Sequence, residues 1–274
     1  MGRANHLPRE VEANPFQPAL GHRYNLNLPS PLLAVLTDAQ SFYNSFQLTA
    51  SRRYDRGLSW QAFYTWSHSI DDASTNFSIE AVNEPPTTQD PFDRKGSRGR
   101  SGFDIRHNFV ANVVYELPGR GRALGGWQVS GVASVHSNLP FTPVLSFDNA
   151  DLQSLLTSER PDLVGNPYIG VCPHGGKAGT PSCWFNPSAF ALPPPGQFGN
   201  AGRNILRGPG FAQFDLALQK GFQLTEGAKI TFGVETYNLF NHPNFAIPRQ
   251  LSRSVHRPGF PVLVYPPPRR LICY

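Results

Sequence analysis

Hydrophobic and polar positions alternate along six stretches of the chain. In residues 43–51, Phe46, Leu48 and Ala50 alternate with Ser45, Gln47, Thr49 and Ser51. After Asp55-Arg56-Gly57, the set Leu58, Trp60, Ala62, Tyr64 and Trp66 alternates with Ser59, Gln61, Phe63, Thr65 and Ser67. Residues 103–115 set Phe103, Ile105, Phe109, Ala111, Val113 and Tyr115 against Asp104, Arg106, Asn108 and Asn112. Residues 127–138 set Trp127, Val129, Gly131, Ala133 and Val135 against Gln128, Ser130, Ser134, His136 and Asn138. Two further stretches, 213–222 and 229–240, set Phe214, Leu216, Leu218, Ile230, Phe232 and Val234 against Asp215, Ala217, Gln219, Thr231, Gly233, Glu235 and Tyr237. Successive side chains of a strand point to opposite faces, so each stretch predicts a strand with one apolar and one mostly polar face. The first two runs are roughly ten residues long, the length of a tilted strand that crosses a bilayer.

The connections alternate in length. Short turns join the first strand to the second, the third to the fourth and the fifth to the sixth; long polar loops, 68–102 and 140–210, join the pairs. That asymmetry is the one found in outer-membrane barrels, with short periplasmic turns and long outer loops. The predicted fold is all-β: a segment of an antiparallel up-and-down transmembrane β-barrel, with about six long strands forming an open curved sheet. Residues 1–40 are expected to be irregular with a short strand, 41–247 to form three hairpins, and 248–274 to be a Pro/Arg-rich tail outside the barrel. On this reading Leu48, Leu58, Trp60, Tyr64, Trp66, Phe109, Val113, Trp127, Val129, Leu216, Leu218, Phe232 and Val234 face lipid. Gln47, Thr49, Gln61, Thr65, Arg106, Asn108, Gln128, Asp215 and Glu235 face the lumen. The apolar faces are expected to hold no Asp, Glu or Arg, and a Lys only at Lys220. A soluble sheet also needs one clean face, so a soluble all-β binding module, for example for carbohydrate, stands as the alternative.

Composition narrows the choice. Charged residues make up only 16% and aromatic residues 12% of the 274, while no run approaches an apolar transmembrane helix. A membrane span must then be a closed sheet, because lipid offers backbone groups no water. Trp66, Phe103, Tyr115, Trp127 and Tyr237 fall near strand ends, where amphipathic rings favour the bilayer interface. The formal net charge of +5 comes largely from clusters at 94–106 and 249–270. Acidic residues interrupt the first cluster, so it is read as a solvated loop and not as a nucleic-acid surface. The N-terminus has no apolar stretch of the kind a signal peptide carries.

The wording SFYNSFQLTASRRYDRGLSWQAFYTWSHSIDD, then GFDIRHNFVANVVYELP, GGWQVSGVASVHSNLPFTP, WFNPSAFALPPPGQFGNAGRN and FDLALQKGFQLTEGAKITFGVETYNLFNHPNF resembles the C-terminal barrel region of TonB-dependent outer-membrane receptors, most closely their Oar-like branch. The resemblance covers roughly residues 41–247. It implies a barrel of about 22 strands with an N-terminal plug, located in the outer membrane in contact with its lipid. It also implies an extracellular ligand, not identified by the sequence, and coupling to the TonB–ExbB–ExbD system through the plug. The chain departs from the family pattern. It has six strands where the smallest bacterial barrels have about eight, no plug or TonB box, and no alternating final strand. The expectation is therefore a truncated or frame-shifted C-terminal piece, not transport-competent alone.

Candidate chemistry is sparse. Cys172 and Cys183 share one loop and suit either a disulfide or a zinc site with His174 that lacks a fourth ligand. Asp71-Asp72, at the start of a long polar loop, is read as a solvated pair in preference to a metal or acid/base site. No nucleophile elbow or phosphate loop is present, so no catalytic residue, cofactor or enzyme activity is expected.

Overall fold

The computed structural model describes residues 1–17, 19–28, 32–74, 88–145, 147–153, 159–170, 172, 176–180, 183–248 and 251–252. Seven long strands form one antiparallel sheet: β1 (Gly2–Glu12), β2 (Leu33–Asp55), β3 (Leu58–Asp71), β4 (His107–Glu116), β5 (Trp127–His136), β6 (Phe211–Thr225) and β7 (Ala228–Thr236). Each pairs with its neighbours in sequence, which is the up-and-down order, and the two-residue strand Gly99–Arg100 adds to the end of β3. The sheet is open, because β1 and β7 do not pair with each other.

β2 and β3 are joined by the two-residue turn Arg56-Gly57. Both residues have positive φ, 51° and 83°, the conformation whose twist matches the flanking strands. Gly57 is required there twice over, since a Cβ would sit 2.6 Å from the Glu116 carbonyl oxygen of β4. The β6–β7 turn is Glu226-Gly227, and residues 117–126, with a helical turn at Gly121–Leu124, join β4 to β5. All three connections lie at one end of the sheet. The described residues of 13–32, 72–106 and 137–210 lie at the other.

These long connections pack into a cap, and the buried apolar side chains concentrate there. Phe141, Val144, Leu145, Ala150, Ala189, Ala201 and Leu206 are buried, whereas Leu48, Trp66, Phe232 and Val234 of the sheet are exposed. Two short ladders, Pro140–Phe141 with Leu206–Arg207 and Asp162–Leu163 with Phe190–Ala191, tie the cap internally. Phe185 packs against Phe141 and Phe190 at ring separations of 6.0 and 5.9 Å.

Within the sheet the structure differs from the sequence reading at two elements. Residues 1–40 hold a full strand and the start of another, not irregular chain. β1 pairs with residues 33–43 of β2, through register shifts around Leu7. Pro8 is accommodated because β1 is an edge strand with bulges, where a missing N–H breaks no ladder. β4 begins at His107 and not at Phe103. There Asp104 turns inward to accept a hydrogen bond from the Ser69 amide at 2.7 Å, which pulls the preceding chain out of the ladder. Arg106 therefore lies in the connecting loop, not on a lumen-facing strand position, and its guanidinium meets the His68 ring at 3.2 Å. The tail beyond 252 lies outside the described residues.

Candidate functional site

The site is built from the two faces of the sheet. Directly opposed residues of antiparallel strands share a face, so the register sorts side chains without ambiguity. One row runs Leu48, Tyr64, Phe109, Val135; a second Ala50, Ala62, Ala111, Ala133, Phe214; a third Trp60, Val113, Gly131, Leu216; a fourth Leu58, Tyr115, Val129, Leu218, Val234. Trp66 lies beyond the first row, and Trp127 with Phe232 beyond the fourth. All thirteen residues named above for the apolar side therefore occupy one face.

The opposite face carries Gln47 with Thr65 and Asn108, Thr49 with Phe63, Gln61 with Asn112, Gln128 with Gln219, and Asp215 and Glu235. It is less uniformly polar than the alternation suggested, since Phe63, Val110, Val114 and Val132 lie on it as well.

Cations stand on the apolar face at both ends: Arg3 and Arg100 oppose Phe42 and Ile70 at the cap end, and Lys220 and Arg52 lie toward the turns. Lys220, only 6% exposed, lies over the Trp127 ring at 5.0 Å and the Phe222 ring at 5.3 Å and donates to the Gly125 carbonyl. Arg52 opposes Trp60, so the expectation of an apolar face without Arg is corrected. It pairs with Asp55 at 2.7 Å, three residues on toward the turn. Arg52 lies near the turn end, where a long stem can lie on apolar surface and carry its charge to water, whereas the buried Lys220 ammonium is held by the rings and the carbonyl.

At the other end, ion pairs fasten the cap to the sheet. Asp71 is 1% exposed and pairs with Arg203, whose Nε also donates to the Ser97 carbonyl at 2.6 Å. Asp72, 5% exposed, pairs with Arg94 and accepts from the Gln40 amide. The solvated carboxylate pair expected from the sequence is thus a buried rivet, because the loop it opens folds back over it. Asn204 donates to the Arg100 carbonyl at 2.7 Å and accepts from Thr142 at 2.9 Å. Gln89 donates to the Gly199 carbonyl and accepts from the Arg160 amide. The basic run at 94–106 is absorbed in the same way, with Arg98 stacked over the Phe42 ring at 4.8 Å.

Cys172 and Cys183 form a disulfide within the cap. Neither sulfur is then a thiolate for zinc, and His174 lies outside the described residues. Among the described residues no group of three or more His, Cys, Asp or Glu is placed to hold a metal ion, and no helix is long and apolar enough to cross a membrane. Glu159, also buried in the cap, accepts hydrogen bonds from the Asn149 and Ala150 amides at 2.8 and 2.9 Å. Burial, and then the neighbouring Asp148 carboxyl, push its pKa up to about 8.

Beneath the cap, on the polar face, lies a cavity of about 260 Å³. Tyr43, Gln47, Thr65, Ser67, Ser69 and Asn108 form its wall, and Phe103, Asp104 and Ile105 its rim. The sequence reading assigned Gln47, Thr65 and Asn108 to this face. It did not find Arg203, Asn204 or the cavity, whose parts are joined only by folding.

No curated protein and no solved structure matches the chain. A family described as outer membrane beta barrel domain matches residues 2–257. The match spans β1 to β7 together with the cap, and it agrees with the two-faced sheet, its up-and-down order and its one-sided long loops. The chain belongs to the outer membrane beta barrel domain family.

Proposed function

We propose that the chain forms barrel wall and outer loops of a TonB-dependent, Oar-like receptor that takes up a substrate across the outer membrane. The observation that carries this reading is a sheet sorted into an apolar and a polar face, with a folded cap and a cavity at one end only. The apolar face meets lipid and the polar face the lumen. From Leu58 to Trp66 the apolar face of β3 rises about 26 Å along the strand. With a strand tilt of roughly 40° this gives about 20 Å of height, close to the ~25 Å apolar band of such barrels. The cap is the extracellular end, where the ligand is captured. Coupling to TonB–ExbB–ExbD requires a plug, so these strands supply the wall and the capture surface, not the energised step.

Fractionation of cells that export the chain tests the reading. Recovery in the outer-membrane fraction, released by detergent and not by salt or urea, supports it. A monodisperse protein that folds in plain buffer refutes it and favours a soluble binding module.

A further inference from the structure

We infer that the cavity beneath the cap is a binding subsite for one ring of a neutral, polyhydroxylated ligand, an oligosaccharide. The inference rests on the barrel reading for its location, but its chemistry comes from the wall itself. Tyr43 and Phe103, both exposed, offer aromatic faces. A ring can stack on such faces through its apolar C–H side. Gln47 and Asn108 offer amides, each both donor and acceptor, and Thr65 a hydroxyl. These three side chains and the Tyr43 hydroxyl make no hydrogen bond among the described residues, so their polar atoms are open to a ligand. The other polar groups of the wall are already engaged. Ser67 donates to the Ile105 carbonyl at 2.8 Å, and Ser69 and Ser101 share a hydrogen bond at 2.7 Å. Asp104 accepts from the Ser69 amide and faces His68.

The charge of the wall decides the ligand class. No Lys or Arg lines the cavity, and its one carboxylate, Asp104, is 5% exposed. Arg106, which follows the lining residues 103–105 in sequence, directs its guanidinium to His68, which opposes Asn44 on the other face. An anionic ligand would find no counter-charge and would meet Asp104. A hydroxylated neutral ring finds donors and acceptors on one side and aromatic surface on the other. The volume of about 260 Å³ lies just below the roughly 300–1,000 Å³ of whole-ligand pockets. This fits a single ring of a longer chain whose remainder continues into the lumen.

The test uses the full chain refolded in a zwitterionic micelle such as an amine oxide, since sugar-headed detergents would compete. Calorimetric titration with maltoheptaose, cellohexaose and xylohexaose is compared with ferric citrate and polygalacturonate. The expected result is saturable binding of at least one neutral oligosaccharide and of neither anion. Phe103→Ala and Gln47→Ala with Asn108→Ala should each weaken it roughly tenfold, for loss of a stacking face or of hydrogen bonds. Phe103→Tyr should keep the affinity. Heat-modifiable migration of every variant separates this proposal from the barrel reading. A folded barrel that binds no neutral oligosaccharide, or binds one with unchanged affinity after Phe103→Ala, overturns the subsite alone. A chain that fails to insert in micelles or vesicles overturns the barrel reading.

Discussion

Two adjacent residues of β4 offer a direct probe of the sheet's two faces. Ala111 lies in the row Ala50, Ala62, Ala111, Ala133, and Asn112 lies between Gln61 and Val132 on the reverse side. Replacing each with Arg places the same charge one residue apart, on opposite faces. The flanking alanines leave room at position 111, so the penalty there is desolvation and not a clash. A charge near mid-bilayer on the lipid face costs roughly 2–4 kcal/mol, a factor of about 30 to 1,000 in the unfolding constant. Asn112→Arg enters a polar, wet surface and should stay within about 0.5 kcal/mol of the parent. Ala111→Leu, which adds apolar surface toward lipid, should be neutral or mildly stabilising. The assay is equilibrium guanidinium unfolding of chain reconstituted in phosphatidylcholine vesicles, followed by tryptophan emission. Asn112→Arg costing as much as Ala111→Arg, or Ala111→Arg costing under about 0.5 kcal/mol, would refute the assignment of faces.

Two further predictions concern the cap. Arg203→Ala leaves Asp71 buried without its guanidinium and should loosen the cap by roughly 3–5 kcal/mol, read as rapid proteolysis of residues 137–210 with strand circular dichroism retained; Arg203→Ala as resistant as the parent would show the pair to be idle. Glu159 keeps its proton up to about pH 8 in the folded cap, against 4.5 for an unperturbed glutamate. The folded form binds more protons between those values, so local stability falls as pH rises through that window, by at most about 1.4 kcal/mol per pH unit. Exchange of the Asn149 and Ala150 amides, corrected for intrinsic base catalysis, should accelerate toward pH 8 in the parent and not in Glu159→Gln; a flat parent profile would contradict this.

The long hairpins were legible because the two faces of the sheet carry opposite chemistry on adjacent residues, and the period-two pattern of Leu58 to Trp66 records it directly. β1 was not legible, since GRANHLPREVE does not alternate and Pro8 argues against a central strand. The pattern also ran on too far before β4. Phe103, Asp104, Ile105 and Arg106 continue the alternation, yet the bond from the Ser69 amide to Asp104 takes them out of the ladder. The cap was the least readable part. Its main rivet joins Asp71 to Arg203 across 132 residues, a separation that no local pattern of the sequence marks. The cavity shares this origin, since a rim from residues 103–105 is laid over three strands only after folding.

The central claim, that one face of this sheet meets lipid and the other a lumen, is tested most directly by quenching along β4. Single cysteines at 107 through 116, labelled with a small fluorophore in chain whose Cys273 is serine and whose Cys172–Cys183 disulfide is kept oxidised, are reconstituted with brominated lipid. The account predicts strong quenching at 109, 111, 113 and 115 and weak quenching at 108, 110, 112 and 114. Quenching without a period of two, or with the opposite phase, would contradict it.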